Sequence, residues 1–247
     1  MRKRGGEKSS LDGCPIVCRT SEPGRYLKNI VYGGLDGIIT TFAIVAGVTG
    51  ASLSSGIILI LGFANLLADG FSMAIGDYLS TKAKNEFEDA VRSKTHINVC
   101  KFPSREREHM AAIYQDKGLD QKDAQALACL VAKNKKVWVD NLLHHEHGIG
   151  EPDGSPVKDG LVTFLSFVMF GFVPLLTYVL SAVSSIFVEN RFLTASVLTG
   201  MTLFALGAFK TKFTSKDWVH SGVEMLLIGG VGAMVAYVIG YLLAGLA

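Results

Sequence analysis

The segment FANLLADGFSMAIGDYLS, residues 63–80, places polar side chains inside a run of apolar residues. Asn65, Asp69, Met73 and Asp77 follow one another at intervals of four. Because side chains four residues apart lie on the same face of an α-helix, these residues are predicted to form one stripe. An amide, two carboxylates and a thioether would then share one face of an otherwise apolar helix.

The apolar character of this segment extends over much of the chain. Hydrophobic residues make up 49% of the 247 residues, and four long stretches contain no Asp, Glu, Lys or Arg. These stretches are residues 37–68, 161–188, 192–209 and 225–247. Since a bilayer crossing needs about 20 mostly apolar residues, the pattern predicts a polytopic membrane protein and excludes an ordinary soluble domain.

Five membrane helices are predicted. The first uncharged stretch is too long for one crossing and contains the small polar turn GASLSSG, residues 50–56, which divides it into two helices. The predicted ranges are 27–50, 55–80, 160–187, 192–209 and 221–246. The second helix is expected to continue into the polar sequence TKAKNEFEDAVRSK, and Pro174 is expected to kink the third.

The remaining sequence completes an all-α fold with four parts. These are a basic tail (1–26), membrane helices one and two (27–80), a polar helical domain (81–158) and membrane helices three to five (159–247). Three short helices are predicted in the polar domain: one with Ser104 as its N-cap, one that opens with Asp120–Asp123, and one from about Lys135 that ends at Gly148.

The distribution of Lys and Arg predicts the orientation in the membrane. The N-terminal tail and the loop KTKFTSKDW, residues 210–218, are rich in these residues, whereas the 50–56 turn has none. Basic segments face the cytosol, so the N-terminus and the polar domain are expected there and the C-terminus on the lumenal side. Residues 1–28 lack the apolar core of a signal peptide, so the first helix is expected to direct its own insertion.

Acidic residues within these helices are the first candidate site. Ionisable side chains are costly inside a bilayer and mark pathways or binding sites by default. Small-residue faces on the first two helices could pack closely and bring Asp36 near Asp69 and Met73. Oxygen ligands with a thioether suit Fe²⁺ or Mn²⁺, and carboxylates in a low dielectric can exchange a proton for a metal ion. The alternatives are solvated positions for Asp36 and Asp77 and ordinary packing for Met73.

A second candidate site lies in the polar domain. Glu106 and His109 form an E-x-x-H pair on one predicted helix face, a spacing found in di-iron bundles. The sequence WVDNLLHHEHG adds Asp140 and Glu146 among several histidines. Clustered His and Glu are competent ligands for first-row metals, although a hydrated helix surface produces the same composition.

The motifs DGIITTFAIVAGVTGA, FANLLADGFSMAIGDYLSTKA, WVDNLLHHEHG and SGVEMLLIGG resemble those of the vacuolar iron transporter family. The resemblance covers nearly all of the chain beyond the tail. It implies a homodimer with five crossings per subunit and a cytosolic metal-binding domain. It also implies export of Fe²⁺, and often Mn²⁺, from the cytosol into a vacuole or similar compartment in exchange for protons.

The resemblance also implies roles for individual residues. Asp36 and Met73 match the intramembrane carboxylate and methionine of the translocation path at the dimer interface. Asn65 replaces a glutamate of the family pattern, and Asp69 stands one turn further on, where the family has a small residue. In the polar domain Glu106 and Glu146 match metal-binding glutamates, and His109 replaces a third. Further ligand positions are replaced by Thr95, Asn98 and Leu142.

We therefore expect a proton-coupled transporter of Fe²⁺ or Mn²⁺ in a vacuolar or other endomembrane. Its pathway residues would be Asp36, Asn65, Asp69 and Met73, with Glu106, His109 and Glu146 collecting metal in the cytosol. The expected partners are divalent ions, protons, the lipid bilayer and a second copy, with no nucleic acid and no cofactor, since the metal is cargo. The alternatives are a membrane-anchored di-metal oxidase that uses the E-x-x-H pair and a metal sensor.

Overall fold

The computed structural model describes residues 26–150, 154–183, 190–214 and 217–246, and the regular elements in these ranges are all helices. In chain order they are α1 (Leu27–Gly50), α2 (Ser55–Lys101), α3 (Pro103–Asp116), α4 (Gln121–Val131), α5 (Lys135–His147), α6 (Pro156–Val183), α7 (Arg191–Thr214) and α8 (Trp218–Leu243), followed by the 3₁₀ turn Ala244–Leu246. The all-α prediction is confirmed. The predicted tail lies outside the described residues except for Tyr26.

Five helices, α1, α2, α6, α7 and α8, are long and apolar enough to cross a membrane, as predicted. The bounds of α1 and the start of α2 agree with the sequence prediction. Helices α6, α7 and α8 begin one to four residues earlier than predicted. Polar residues that flank an apolar run can extend a helix that has already formed, because adding a residue costs less than starting a new helix. Pro174 lies inside α6, which continues past it, and the predicted end of that helix at residue 187 lies outside the described residues.

Helix α2 joins the membrane helices to the polar domain without interruption. It contains 47 residues, which corresponds to a length of about 70 Å at 1.5 Å per residue. Its polar half is supported by ion pairs one turn apart, Lys82–Glu86 at 3.8 Å and Lys84–Glu88 at 3.6 Å. The domain boundary predicted at residues 80 and 81 therefore lies within a single helix.

The membrane helices pack around α1, which contacts all four of the others, and α6 packs against both α1 and α2. Gly37 is required at the crossing with α1, because a Cβ at this position would overlap the backbone carbonyl of Phe167. On α2, the buried Leu66 packs in a cluster with Phe167 and Leu175. Helix α1 also contacts α8, which in turn packs on α7. The close approach at α6 holds α1 and α2 in a fixed relation.

The polar domain has its own apolar core, in which α3, α4 and α5 pack with the distal end of α2. The members of this cluster include Val99, Met110, Ala124, Trp138 and Leu142. Two predicted helix limits are confirmed: Asp120 Oδ1 accepts from the Asp123 N–H at 2.8 Å, and Gly148 ends α5 with φ +67°.

The predicted N-cap Ser104 is wrong. Helix α3 begins one residue earlier, at Pro103, and Phe102 takes the N-cap position without a side-chain hydrogen bond. A proline is favoured in the first turn of a helix because its missing N–H would have no partner there in any case. The proline therefore decides the start of α3, and the serine lies inside the helix.

Candidate functional site

Two carboxylates on different membrane helices lie close together. Asp36 of α1 and Asp69 of α2 are each half-buried, and they are near enough for electrostatic repulsion between them. Two like charges within interaction distance are unfavourable unless a proton or a cation lies between or beside them. Asp36 and Asp69 are therefore coupled electrostatically between α1 and α2.

The rest of the predicted stripe on α2 lies beside this pair. Asn65 and Met73 are half-buried like Asp69, and Met73 packs partly against the membrane core. The Nδ2 group of Asn65 is buried and has no hydrogen-bond partner among the described residues. An amide, a carboxylate and a thioether thus follow one another along the border between the buried and exposed sides of α2.

The neighbouring small-residue face of α2 does not pack within the subunit. Ala68, Ser72, Gly76 and Ser80 are all exposed, and a Cβ placed at Gly76 would meet no atom within 4 Å. The expectation that this face forms a seam with α1 is wrong within one chain. Helix α2 packs on α6 instead, through a buried row of residues that includes two glycines and so allows a closer approach, namely Gly62, Leu66 and Gly70.

Asp77 has a structural environment that the sequence did not reveal. Its Oδ2 accepts hydrogen bonds from Asn29 Nδ2 at 2.5 Å and from the buried Thr163 Oγ1 at 2.7 Å. Asn29 lies near the start of α1 and Thr163 lies in α6, so Asp77 links three membrane helices. No periodic pattern marks Asn29 or Thr163, because the contact depends on the tertiary packing alone.

Replacement of Asp77 by alanine should destabilise the protein more than it impairs the ion site. The almost fully buried Thr163 hydroxyl would lose its acceptor, and Asn29 Nδ2 would keep only longer contacts, at 3.2 Å and 3.4 Å. Leaving a buried donor unsatisfied costs about 1–3 kcal/mol, so the thermal unfolding midpoint in detergent should fall by several degrees. Asp116→Ala, on an exposed position of α3, is the matched control, and an unfolding midpoint for Asp77→Ala equal to that of the control would contradict this role.

The second predicted site is partly assembled in the polar domain. Glu106 of α3 is 6% exposed, and its Oε2 lies 3.8 Å from Nδ1 of His109, one turn further on. The same Nδ1 lies 4.0 Å from Oε2 of Glu146 on α5. The structure thus brings the three predicted residues together. As they stand, no three His, Cys, Asp or Glu side chains among the described residues are arranged to hold a metal ion.

Other candidate ligands in the polar domain have different partners. Asp140 forms an ion pair with Arg92 of α2, which neutralises its charge. His145 Nδ1 lies 2.5 Å from Lys117 Nζ. Burial lowers the pKa of His145, and the neighbouring Lys117 and His144 lower this pKa further. A neutral ring at His145 can accept a hydrogen bond from the Lys117 ammonium, so this histidine stabilises the contact between α3 and α5.

Glu224 near the start of α8 also has a partner. Its Oε2 lies 3.8 Å from Nζ of Lys210 on α7, and the Glu224 side chain is about half exposed. A carboxylate near a helix end could lie at the entrance of a pathway or anchor the end of the helix. The ion pair connects α7 to α8 and is consistent with the anchoring interpretation.

Comparison with known proteins identifies the family. A sequence model of the VIT family matches residues 27–241. The chain is 39% identical to a vacuolar iron transporter of Toxoplasma gondii, over 91% of this chain and 76% of that protein. It is 34% identical to a vacuolar iron transporter of Plasmodium falciparum, over 88% of this chain and 82% of that protein. It is 28% identical to vacuolar iron transporter 1 of Arabidopsis thaliana, over 87% of this chain and 84% of that protein. On the strength of the five membrane-length helices and these matches, the chain belongs to the VIT family.

Proposed function

We propose that this protein exports Fe²⁺, and also Mn²⁺, from the cytosol into a vacuole-like compartment in exchange for protons. Members of the VIT family are transporters and not enzymes, so the metal ion is a substrate rather than a cofactor. The observation that carries the proposal is the proximity of Asp36 on α1 to Asp69 on α2, within helices of membrane-spanning length.

The proposed exchange follows from the charge of this pair. Two carboxylates that repel each other are stabilised either by a proton or by a divalent cation, so binding one favours release of the other. Met73 would add a thioether, which favours Fe²⁺ and Mn²⁺ over the harder Mg²⁺ and Ca²⁺. The buried amide of Asn65 would complete the ligand set with its carbonyl oxygen, while its Nδ2 still lacks a partner among the described residues.

A homodimer would complete the environment of the pathway. The α1 face that contains Asp36 and the α2 face formed by Ala68, Ser72, Gly76 and Ser80 both remain partly or fully exposed in one chain. Small residues permit close helix contacts in membranes, so a second copy is the proposed neighbour of these faces. The orientation proposed from Lys and Arg keeps the N-terminus and the polar domain in the cytosol and the C-terminus in the lumen.

The polar domain would collect metal before transport. Glu106 is a buried carboxylate with only the half-exposed His109 beside it, and a buried charge is unfavourable without a counterion. A small movement of the exposed Glu146 towards these two side chains would produce a His and Glu site for a divalent ion. We propose that Glu106, His109 and Glu146 bind the metal in this way.

Substitution of Glu106 by glutamine should weaken metal binding while leaving the membrane site intact. We expect Mn²⁺ affinity at the polar domain to fall at least about 10–100-fold, the range seen when groups that only support a metal ligand are replaced. Equilibrium dialysis of the full-length protein in detergent, in an Asp36→Asn/Asp69→Asn background, measures this site alone. Glu108→Gln, on an exposed position of the same helix, should bind like the parent, and equal binding by both variants would exclude Glu106 as a ligand.

Reconstitution into proteoliposomes tests the transport activity itself. Vesicles with an acidic lumen should accumulate Fe²⁺ or Mn²⁺ faster than vesicles without a pH gradient, because outward proton movement would drive metal entry. Oxygen uptake recorded during addition of Fe²⁺ separates this function from the di-metal oxidase. Metal accumulation without stoichiometric oxygen consumption supports transport, whereas oxygen consumption without accumulation would overturn it.

A further inference from the structure

A basic cavity in the polar domain lies apart from the proposed metal residues. It has a volume of about 420 Å³ and lies where the distal end of α2 meets α3, α4 and α5. Three cationic side chains, Arg107, Lys133 and Lys135, line this cavity, and none of the described residues lining it is acidic. Lys135 Nζ also contacts Cys100 Sγ at 3.8 Å. Three cations around a concave space without a carboxylate create a site of positive potential.

Two further features of the cavity wall favour an anion. Helix α3 begins at the cavity with Pro103, and it has no side-chain cap on its first N–H groups. The positive end of its dipole is therefore available to a negative ligand. Glu106, the acidic residue of this first turn, does not line the cavity, because its side chain faces His109.

Trp138 forms part of the cavity wall. Its ring lines the cavity and is 4% exposed, yet its Nε1–H has no hydrogen-bond partner among the described residues. Buried indole N–H groups normally have an acceptor. The Nε1 atom itself is buried, so the ring contributes an apolar wall to the cavity and a reporter of its occupancy.

We propose that this cavity binds a phosphate-bearing anion. Arg107 matches the geometry of phosphate oxygens through its planar guanidinium group, while Lys133 and Lys135 supply point charges. A volume of about 420 Å³ exceeds the needs of one inorganic phosphate and fits a polyphosphate or a nucleotide.

The position of the cavity along α2 favours a soluble ligand over a lipid headgroup. Cys100, which lines the cavity, follows the first basic residue after the membrane stripe, Lys82, by 18 residues on one continuous helix. At 1.5 Å per residue this separation is roughly 27 Å, whereas the headgroup layer on each side of the hydrocarbon core is only about 5–8 Å thick. The site is thus beyond the reach of a phosphoinositide in the membrane that the protein spans.

Tryptophan fluorescence of the full-length protein in detergent tests the proposal. The chain has two tryptophans, so a Trp218→Phe background leaves Trp138 as the single reporter. Titrations use inorganic phosphate, ATP without metal, and vesicles containing phosphatidylinositol phosphates. We expect a saturable signal with ATP, a weaker one with phosphate, and none with the vesicles. Equilibrium dialysis with radiolabelled ATP measures the same binding without relying on fluorescence.

Charge-reversal variants complete the test. Arg107→Glu with Lys133→Glu should weaken ATP binding at least about tenfold, because two charge-assisted contacts become repulsive. Lys122→Glu, an exposed lysine of α4 outside the cavity, is the control for net charge and should bind ATP like the parent. The absence of saturable ATP and phosphate binding in dialysis would overturn the proposal. The proposal would also be overturned if Lys122→Glu weakened ATP binding as much as the double variant does, or if saturable binding occurred only with the lipid vesicles.

Discussion

Asp36→Asn should reduce the rate of metal uptake into proteoliposomes about 100-fold or more. The substitution keeps the size of the side chain but removes one of the two interacting negative charges between α1 and α2. Loss of groups that merely support a metal ligand costs 10–100-fold, and we expect loss of a direct ligand to cost at least about the upper end of that range. The measurement is the initial rate of Fe²⁺ or Mn²⁺ accumulation at equal protein density.

Glu224→Gln is the matched control for this experiment. Glu224 is also a carboxylate on a membrane-spanning helix, but it pairs with Lys210 and is not grouped with Asp36. Its uptake rate should stay within about twofold of the wild type, since exposed ion pairs contribute little. Wild-type flux in the Asp36→Asn vesicles would remove this residue from the pathway.

Moving the α2 carboxylate by one turn should restore transport that its removal abolishes. Asp69→Ala should lower the uptake rate about as strongly as Asp36→Asn, because it removes the other half of the charged pair. Positions 65 and 69 are one turn apart on the same border of α2, roughly 6 Å along the axis. Asn65→Glu combined with Asp69→Ala should therefore regain at least about a tenth of the wild-type rate, because the longer glutamate can reach across that distance.

The position of the restored charge provides the control. Leu67→Glu combined with Asp69→Ala places a carboxylate on an exposed side of α2 that belongs neither to the stripe nor to the small-residue face, and should remain inactive. Equal recovery in both double variants would mean that only net charge near the membrane matters. No recovery with Asn65→Glu would show that the geometry at position 69 is specific.

The helices were predictable from sequence because their signals are local. The small polar turn at residues 50–56 marked the end of α1, and Gly148 marked the end of α5, since only a residue that tolerates positive φ fits there easily. The start of α3 was misassigned because two competing local signals, Ser104 and Pro103, stood side by side. The continuation of α2 into the polar sequence 81–94 was predicted and is confirmed, although the helix ends seven residues later, at Lys101.

The candidate site was only partly predictable. Spacing along a helix placed Asn65, Asp69 and Met73 on one border of α2, and the structure adds the proximity of Asp36. The hydrogen bonds of Asp77 with Asn29 and Thr163 depend on how α1, α2 and α6 pack together. A single sequence does not contain that information, because none of their spacings is shorter than 48 residues. The burial of Glu106 likewise follows from the packing of the polar domain.

The pH inside proteoliposomes during metal uptake is the most direct test of the central claim, that Asp36 and Asp69 exchange protons for a divalent cation. A pH-sensitive dye in the lumen reports proton movement when Mn²⁺ is added outside in the absence of a pre-existing gradient. We predict that the lumen of wild-type vesicles becomes more alkaline as metal enters. Vesicles with Asp36→Asn/Asp69→Asn should show neither metal entry nor a rise in lumenal pH. Metal entry without a change in lumenal pH, or an unchanged response in the double variant, would contradict the account.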